Sequence, residues 1–309
     1  MRTLPLLAFC LAAIAAPGAA QQSAADSLEA QVRARIGAAT GATVGLYFRD
    51  LSSGESLAIN ADARFHAAST MKVPVMIQVF RDVDAGRLTL DDRVTVVNAF
   101  RSLVDSAMFS VDSADDSDTS LYRQVGREVR LRDLVYLMIT RSSNLATDNV
   151  IDRVGAERVR AAMHSIGADS MIVLRGVEDG AAYRAGLNNT TTARALGIIM
   201  RSIADGAAAS AISCSAMLDI LDDNVDRAAI VAGLPRHTRV AHKTGDITNL
   251  RHDAAIVYVN GRPRYVLVVL TSGIPIPDAN RLIADIAGAV HRHVNPEVPR
   301  HHFRPSNPK

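Results

Sequence analysis

The chain has 309 residues, 48% hydrophobic and 21% charged, with a formal net charge of +2. That is enough apolar material for one large domain or two small ones around a sizeable core. So even a charge balance excludes a dedicated nucleic-acid binder, whose basic residues concentrate on one face, and it is too small to steer acidic partners.

The chain opens on a processing segment. Arg2 supplies a short positive region, residues 4–16 are apolar, and Gly18, Ala19 and Ala20 offer small residues for cleavage. Residues 1–20 therefore read as a signal peptide, with Gln21 as the mature start and a periplasmic or secreted destination. The apolar run is shorter than the about 20 residues that span a bilayer, which argues against a stable membrane anchor. Cys10 leaves with the leader. Cys214 then has no disulfide partner, and its apolar neighbours make it a buried, inert thiol.

In the mature chain, Leu28, Val32 and Ile36 recur at helical spacing, predicting a surface helix over 26–36. Thr43–Asp50 is rich in β-branched and aromatic residues, and the turn Ser52-Ser53-Gly54-Glu55 returns the chain as a hairpin over 56–60. A helix carrying Ser69 and Lys72 follows and ends near Gly86. Residues 94–127 are irregular, and their centre, 112–118, is acidic. A calcium loop is conceivable there, but the glycine and terminal glutamate of an EF-hand are missing, so a solvated loop at the rim of a cleft is the better reading. Leu131, Leu134, Val135 and Met138 mark a helix that stops at Ser142-Ser143-Asn144. Two more helices end at Gly155 and Gly167. Residues 175–189 lack periodicity and read as a loop. Thr190-Thr191-Thr192 caps a helix over Ala193–Ala204, and another spans 210–222. Strands return at 239–243, 254–259 and 265–271, with Asn260-Gly261 as a hairpin turn. A helix over 278–293 closes the fold, and the proline-rich, basic residues 294–309 read as a disordered tail.

Strands thus come first and last, with helices between. That order predicts an α+β (α/β) architecture: an antiparallel sheet flanked by terminal helices, with an inserted all-helical domain. Residues 21–62 and 223–293 are assigned to the sheet domain, and 63–222 to the helical domain.

Three short motifs carry chemistry. In Ser69-Thr70-Met71-Lys72, the serine and lysine are three apart and share a helix face. A serine hydroxyl needs an adjacent base to become a nucleophile, and a lysine serves only if burial or another cation lowers its pKa. The apolar run Val73, Val75, Met76, Ile77, Val79, Phe80 supplies that burial. The second motif is Ser142-Ser143-Asn144, and the third Lys243-Thr244-Gly245. In this order the trio resembles that of the penicillin-recognising serine acyltransferases, most closely class A β-lactamases, over about residues 26–293.

That resemblance implies a β-lactam substrate, no metal or organic cofactor, and a monomer. It implies that Ser69 is the nucleophile, with Lys72 as its base. The backbone N–H groups of Ser69 and Asp246 form an oxyanion hole by the family pattern. Ser142 relays a proton to the leaving nitrogen. Asn144 binds Lys72 and the substrate amide. Lys243 depresses the pKa of Lys72 and attracts the substrate carboxylate, to which Thr244 offers a hydroxyl. Gly245 lets the substrate lie against the strand edge. Arg251 is either a second carboxylate clamp or a solvated cation.

Two features depart from the family. The Glu-x-x-Leu-Asn loop motif is absent. Glu178, in Arg175-Gly176-Val177-Glu178, is the candidate base for the deacylating water, with a loop salt bridge or helix cap as the alternative, and Asn188 is a candidate to orient the water. Ser143 replaces the usual aspartate of the second motif. The competing reading is a D,D-carboxypeptidase acting on peptidoglycan peptides.

Overall fold

The computed structural model describes residues 17–296. Residues 1–16 of the predicted leader and 297–309 of the predicted tail lie outside the described residues. Five strands form one antiparallel sheet: β1 (Thr43–Asp50), β2 (Ser56–Ile59), β3 (Val240–Ile247), β4 (Leu250–Val259) and β5 (Arg262–Ser272). Their order is β2-β1-β5-β4-β3, so β3 is an edge strand. The β1–β2 and β4–β5 connections are hairpins, as their turn residues predict.

Side-chain alternation sends successive residues of each strand into different cores. On β5, Leu267 and Val269 join one apolar cluster, while Val266, Val268 and Leu270 join the other. On β4, Ala255 and Val257 face the first, Ala254 and Ile256 the second. Both faces are covered, which is why these strands read as near-continuous apolar runs. The terminal helices α1 (Pro17–Ala38) and α9 (Ile276–Val294) cover the first face through Leu28, Val32, Leu282, Ile283, Ile286 and Val290.

The other core is built with α2 (Lys72–Asp84), α3 (Leu131–Thr140), α4 (Asn144–Val154), α5 (Ala156–Ser165), α7 (Ala193–Ala204) and α8 (Ala211–Asp222), and the short α6 (Gly180–Arg184) lies between α5 and α7 in the chain. Cys214 on α8 is buried among them. Two predictions are corrected here. The sequence read 175–189 as loop throughout, but it holds α6, whose N-terminus is capped by the Asp179 carboxylate accepting from Ala182 N at 3.0 Å. Five residues are too few for periodicity to show. The strand expected at 254–259 begins at Leu250. Its polar start was hidden because Arg251, His252 and Asp253 are buried yet not apolar. The irregular region 94–127 is tied at its ends by one short pair, Arg93–Thr95 with Glu128–Arg130, and holds a second inside it, Phe100–Arg101 with Met108–Phe109.

Candidate active site

Ser69 lies on a 3-10 turn, Ala68–Met71, that leads directly into α2. The preceding Ala68 has φ +45°, a left-handed conformation costly for a residue with a Cβ. Two contacts hold it: Ala68 N donates to His66 Nδ1 at 3.0 Å, and Ala67 N donates to Asn189 O at 2.8 Å. Pro74 falls in the first turn of α2, where its missing N–H costs nothing. The edge strand β3 packs against this turn. A Cβ added at Gly245 would sit 2.9 Å from Ser69 N and 3.0 Å from Thr70 N. Glycine is therefore required so that β3 reaches the serine turn, a different reason from the substrate contact expected of it.

Lys72 and Lys243 are both fully buried. Lys72 Nζ donates to Ser142 O at 2.7 Å, Asn144 Oδ1 at 2.8 Å and Ser142 Oγ at 3.3 Å. Lys243 Nζ donates to the same Ser142 Oγ at 3.0 Å and to Thr244 O at 2.9 Å. One hydroxyl thus joins two ammonium groups. Burial lowers Lys72 to about 8, against the pull of Asp116, Asp148, Glu178 and Asp246, which favour its charged form. Burial, and next the charge of Lys72, lowers Lys243 to about 7. Of the two causes expected for Lys72, burial and a neighbouring cation, burial is the one that lowers it. Ser142 itself has φ +58°, so its hydroxyl is aimed by a strained backbone.

Glu178 enters the same cleft from the 175–189 loop. Its Oε1 accepts from Asn144 Nδ2 at 3.1 Å, so the Asn144 amide bridges Lys72 and Glu178. Burial, then the nearby Asp115 carboxylate, raises the Glu178 pKa. Glu178 also has φ +58°. Neither alternative for Glu178 is what the geometry presents: the helix cap is its neighbour Asp179, and its partner is an amide instead of a cation. The loop is pinned by residues the sequence did not single out. Asp148 on α4 accepts from Val177 N at 2.7 Å, and a Cβ at Gly176 would collide with that carboxylate. Asn189 accepts from Leu174 N at 2.8 Å and donates to Arg175 O at 3.0 Å. Asn188, the expected water-orienting residue, instead accepts from Arg175 Nη2 at 3.3 Å; Asn189, not Asn188, lines the cleft. The signal for Asp148 was its i+4 spacing from Asn144 on one helix face.

The cleft encloses about 550 Å³ and is lined by Ser69, Ser142, Asn144, Glu178 and Asp246, among others. One predicted carboxylate binder is occupied elsewhere. Arg251 is buried, and its guanidinium donates to Asp226 at 2.7 Å, Asn280 at 2.8 Å and Asp246 at 3.0 Å. It is neither a solvated cation nor a free clamp, since two carboxylates neutralise it. Burial works to raise the Asp226 pKa, but Arg251, with a smaller contribution from Thr244, holds that carboxylate below its usual range. The arrangement gathers a serine hydroxyl, two buried amines of lowered pKa and a carboxylate of raised pKa around one cleft, groups of the kind that acyl transfer and hydrolysis use.

The model of the beta-lactamase enzyme family matches residues 27–294. A beta-lactamase of Amycolatopsis lactamdurans is 28% identical over 278 residues, covering 89% of this chain and 86% of the relative. One of Streptomyces fradiae is 27% identical over 283 residues, covering 89% of each. The crystal structure of a beta-lactamase from Sphaerobacter thermophilus shares 30% identity and superposes with a TM-score of 0.73, covering 89% of this chain and 99% of that one. The structure of PBP-A, also 30% identical, superposes with a TM-score of 0.74 over 86% of this chain and 95% of its own. A PBP-A mutant of the same identity and TM-score was solved as an acyl-enzyme complex with penicillin G, covering 86% of this chain and 96% of its own.

Proposed function

We propose, given that the chain belongs to the β-lactamase enzyme family as a divergent, class A-like member, that it is a serine hydrolase opening the β-lactam amide through an acyl-enzyme on Ser69. The observation that carries this reading is the sharing of Ser142 Oγ by two buried amines at the cleft that Ser69 and Ser142 both line. With its pKa lowered to about 8, Lys72 gives up a proton readily near neutrality. Its longest bond, 3.3 Å to Ser142 Oγ, is the cheapest to release. The free amine then takes the Ser69 proton as Oγ attacks the lactam carbonyl carbon. Backbone N–H groups of Ser69 and Asp246 receive the developing oxyanion. The proton passes through Ser142 to the lactam nitrogen as the C–N bond breaks. Lys243 holds Ser142 and lends positive charge to that end of the cleft.

For hydrolysis of the ester, Glu178 accepts a proton from water as the water oxygen attacks the acyl carbon, and Ser69 leaves as its oxygen regains that proton from Glu178. The raised pKa of Glu178 matches it to that task. Export by the N-terminal leader belongs to the same proposal. No described helix is long and apolar enough to cross a membrane.

The test is turnover of a chromogenic cephalosporin by the purified mature protein, with mass spectrometry of Ser69. Turnover with a transient adduct is expected, and Ser69→Ala abolishes both. Labelling without turnover removes hydrolase status; absence of labelling overturns the reading. A second reading is favoured by the equal likeness to PBP-A and by the absent Glu-x-x-Leu-Asn motif: a D,D-carboxypeptidase, recognised by release of D-alanine from a D-Ala-D-Ala peptide.

A further inference from the structure

The acidic segment at 112–118 is not a solvated loop alone. It folds against the N-terminus of α4, and Asp116 is buried there. Its two carboxylate oxygens take up the first N–H groups of the helix: Asn144 N donates to Oδ1 and Leu145 N to Oδ2, each at 2.9 Å. Tyr122 OH donates to Oδ2 at 3.0 Å, Asp118 N to Oδ1 at 3.2 Å and Ser143 Oγ to Oδ2 at 3.4 Å. The neighbouring backbone carbonyl of Asp115 accepts from Asn144 Nδ2 at 3.5 Å. The third N–H of the helix, Ala146 N, donates to Ser143 Oγ at 3.2 Å. Orphan donors at a helix start need such partners, and a carboxylate there also meets the positive end of the helix dipole.

Ser143 stands where the motif usually carries an aspartate. The carboxylate missing from position 143 is supplied across space from position 116. We propose that Asp116 is a positioning residue of the site, transposed from the motif to the 112–118 segment, which fixes the start of α4 and thereby aims Asn144 and Ser142 at Lys72. This rests on Ser69 being an activated nucleophile, as argued above.

The geometry explains why the placement matters. Asn144 follows the strained Ser142 by two residues and contacts both Lys72 and Glu178 through one amide. A shift of the helix start moves both contacts together. Displacements of about 1 Å at such sites lower rates by about 100-fold. Asp116 also favours the charged form of Lys72, along with Asp148, Glu178 and Asp246, while Lys243 faces it as the opposing cation. Removing the Asp116 charge therefore lowers the Lys72 pKa further.

The experiment compares wild type with Asp116→Asn, Asp116→Ser and the exchange variant Asp116→Ser/Ser143→Asp. The readouts are the rate of fluorophosphonate labelling at Ser69 across pH, acylation by a chromogenic cephalosporin, and the melting temperature. Fluorophosphonate labelling reports nucleophile activation without requiring β-lactam recognition, so it separates this inference from the substrate assignment. The expected result is a loss of about 10- to 100-fold in labelling for both single variants. In Asp116→Asn the pH profile moves to lower pH, a change that mere loss of stability does not produce. The exchange variant, with its aspartate restored at a favoured cap position, recovers most of the rate. If the single variants do not fold, the folded exchange variant decides: labelling near the wild-type rate supports the transposition. Wild-type rates and an unmoved profile in Asp116→Asn overturn the proposal. So does an exchange variant no faster than Asp116→Ser or unable to label, or a wild-type protein that resists fluorophosphonate.

Discussion

Lys72 is an amine with no solvent contact whose three donor bonds all run to the start of α4. Burial lowers its pKa to about 8, and four surrounding carboxylates stop the fall from going further. In the proposed mechanism only the free amine can accept the Ser69 proton, and its fraction rises with pH up to that value. The pre-steady-state acylation rate is therefore expected to climb about tenfold per pH unit below 8 and to level off above it. A rate independent of pH between 5 and 9 would contradict Lys72 as the base. Lys72→Arg, whose guanidinium stays charged, is expected to lower acylation by about 100- to 10,000-fold. Glu178→Gln keeps a polar group against Asn144 but removes the proton acceptor. Acylation should persist and the acyl-enzyme accumulate, as intact-mass measurements over time will reveal; normal turnover would reassign the base.

A buried carboxyl is one of the groups that hold the loop bearing Glu178. Asp148 receives Val177 N through Oδ1, while its Oδ2 has no hydrogen-bond partner. Burial raises its pKa to about 8. In the unfolded chain the same group ionises near 4. Between these values the folded state holds a proton that the unfolded state has released, so folding loses stability as pH rises through that window. Asp148→Asn keeps the acceptor for Val177 N and removes the titration. Its melting temperature relative to wild type is expected to be flat near pH 4 and to gain a few degrees by pH 9, as scanning calorimetry would measure. A difference that does not vary with pH would refute this account. The element scale also explains why α6 and the start of β4 escaped the sequence reading. Both are stabilised by tertiary partners: Asp179 takes Ser102 Oγ and Leu103 N besides capping α6, and buried Asp253 pairs with His242 at 3.0 Å.

At the scale of the whole molecule, the sheet separates two cores, and the site is built on only one side of it. Phe48 on β1 is fully buried in the other core, edge-on to Tyr265. Phe48→Ala is expected to cost about 3–5 kcal/mol of stability through lost burial and a cavity. Urea unfolding measures that loss, and the folded fraction should label at Ser69 at the wild-type rate. A slowed rate in the folded fraction would mean that the two sides are coupled through the sheet.

Local pattern was enough for the strands, the main helices and the three motifs, because alternation, helical spacing and residue type are properties of neighbours along the chain. It was also enough to nominate Glu178, although the expected loop motif was missing. What the sequence left open was which charge meets which. The pairing of Arg251 with Asp226 and Asp246, the hydroxyl shared by Lys72 and Lys243, and the carboxylate that reaches α4 from Asp116 all join segments remote in sequence. Electrostatic energies depend on distance and burial, and both are defined only once the chain has closed on itself.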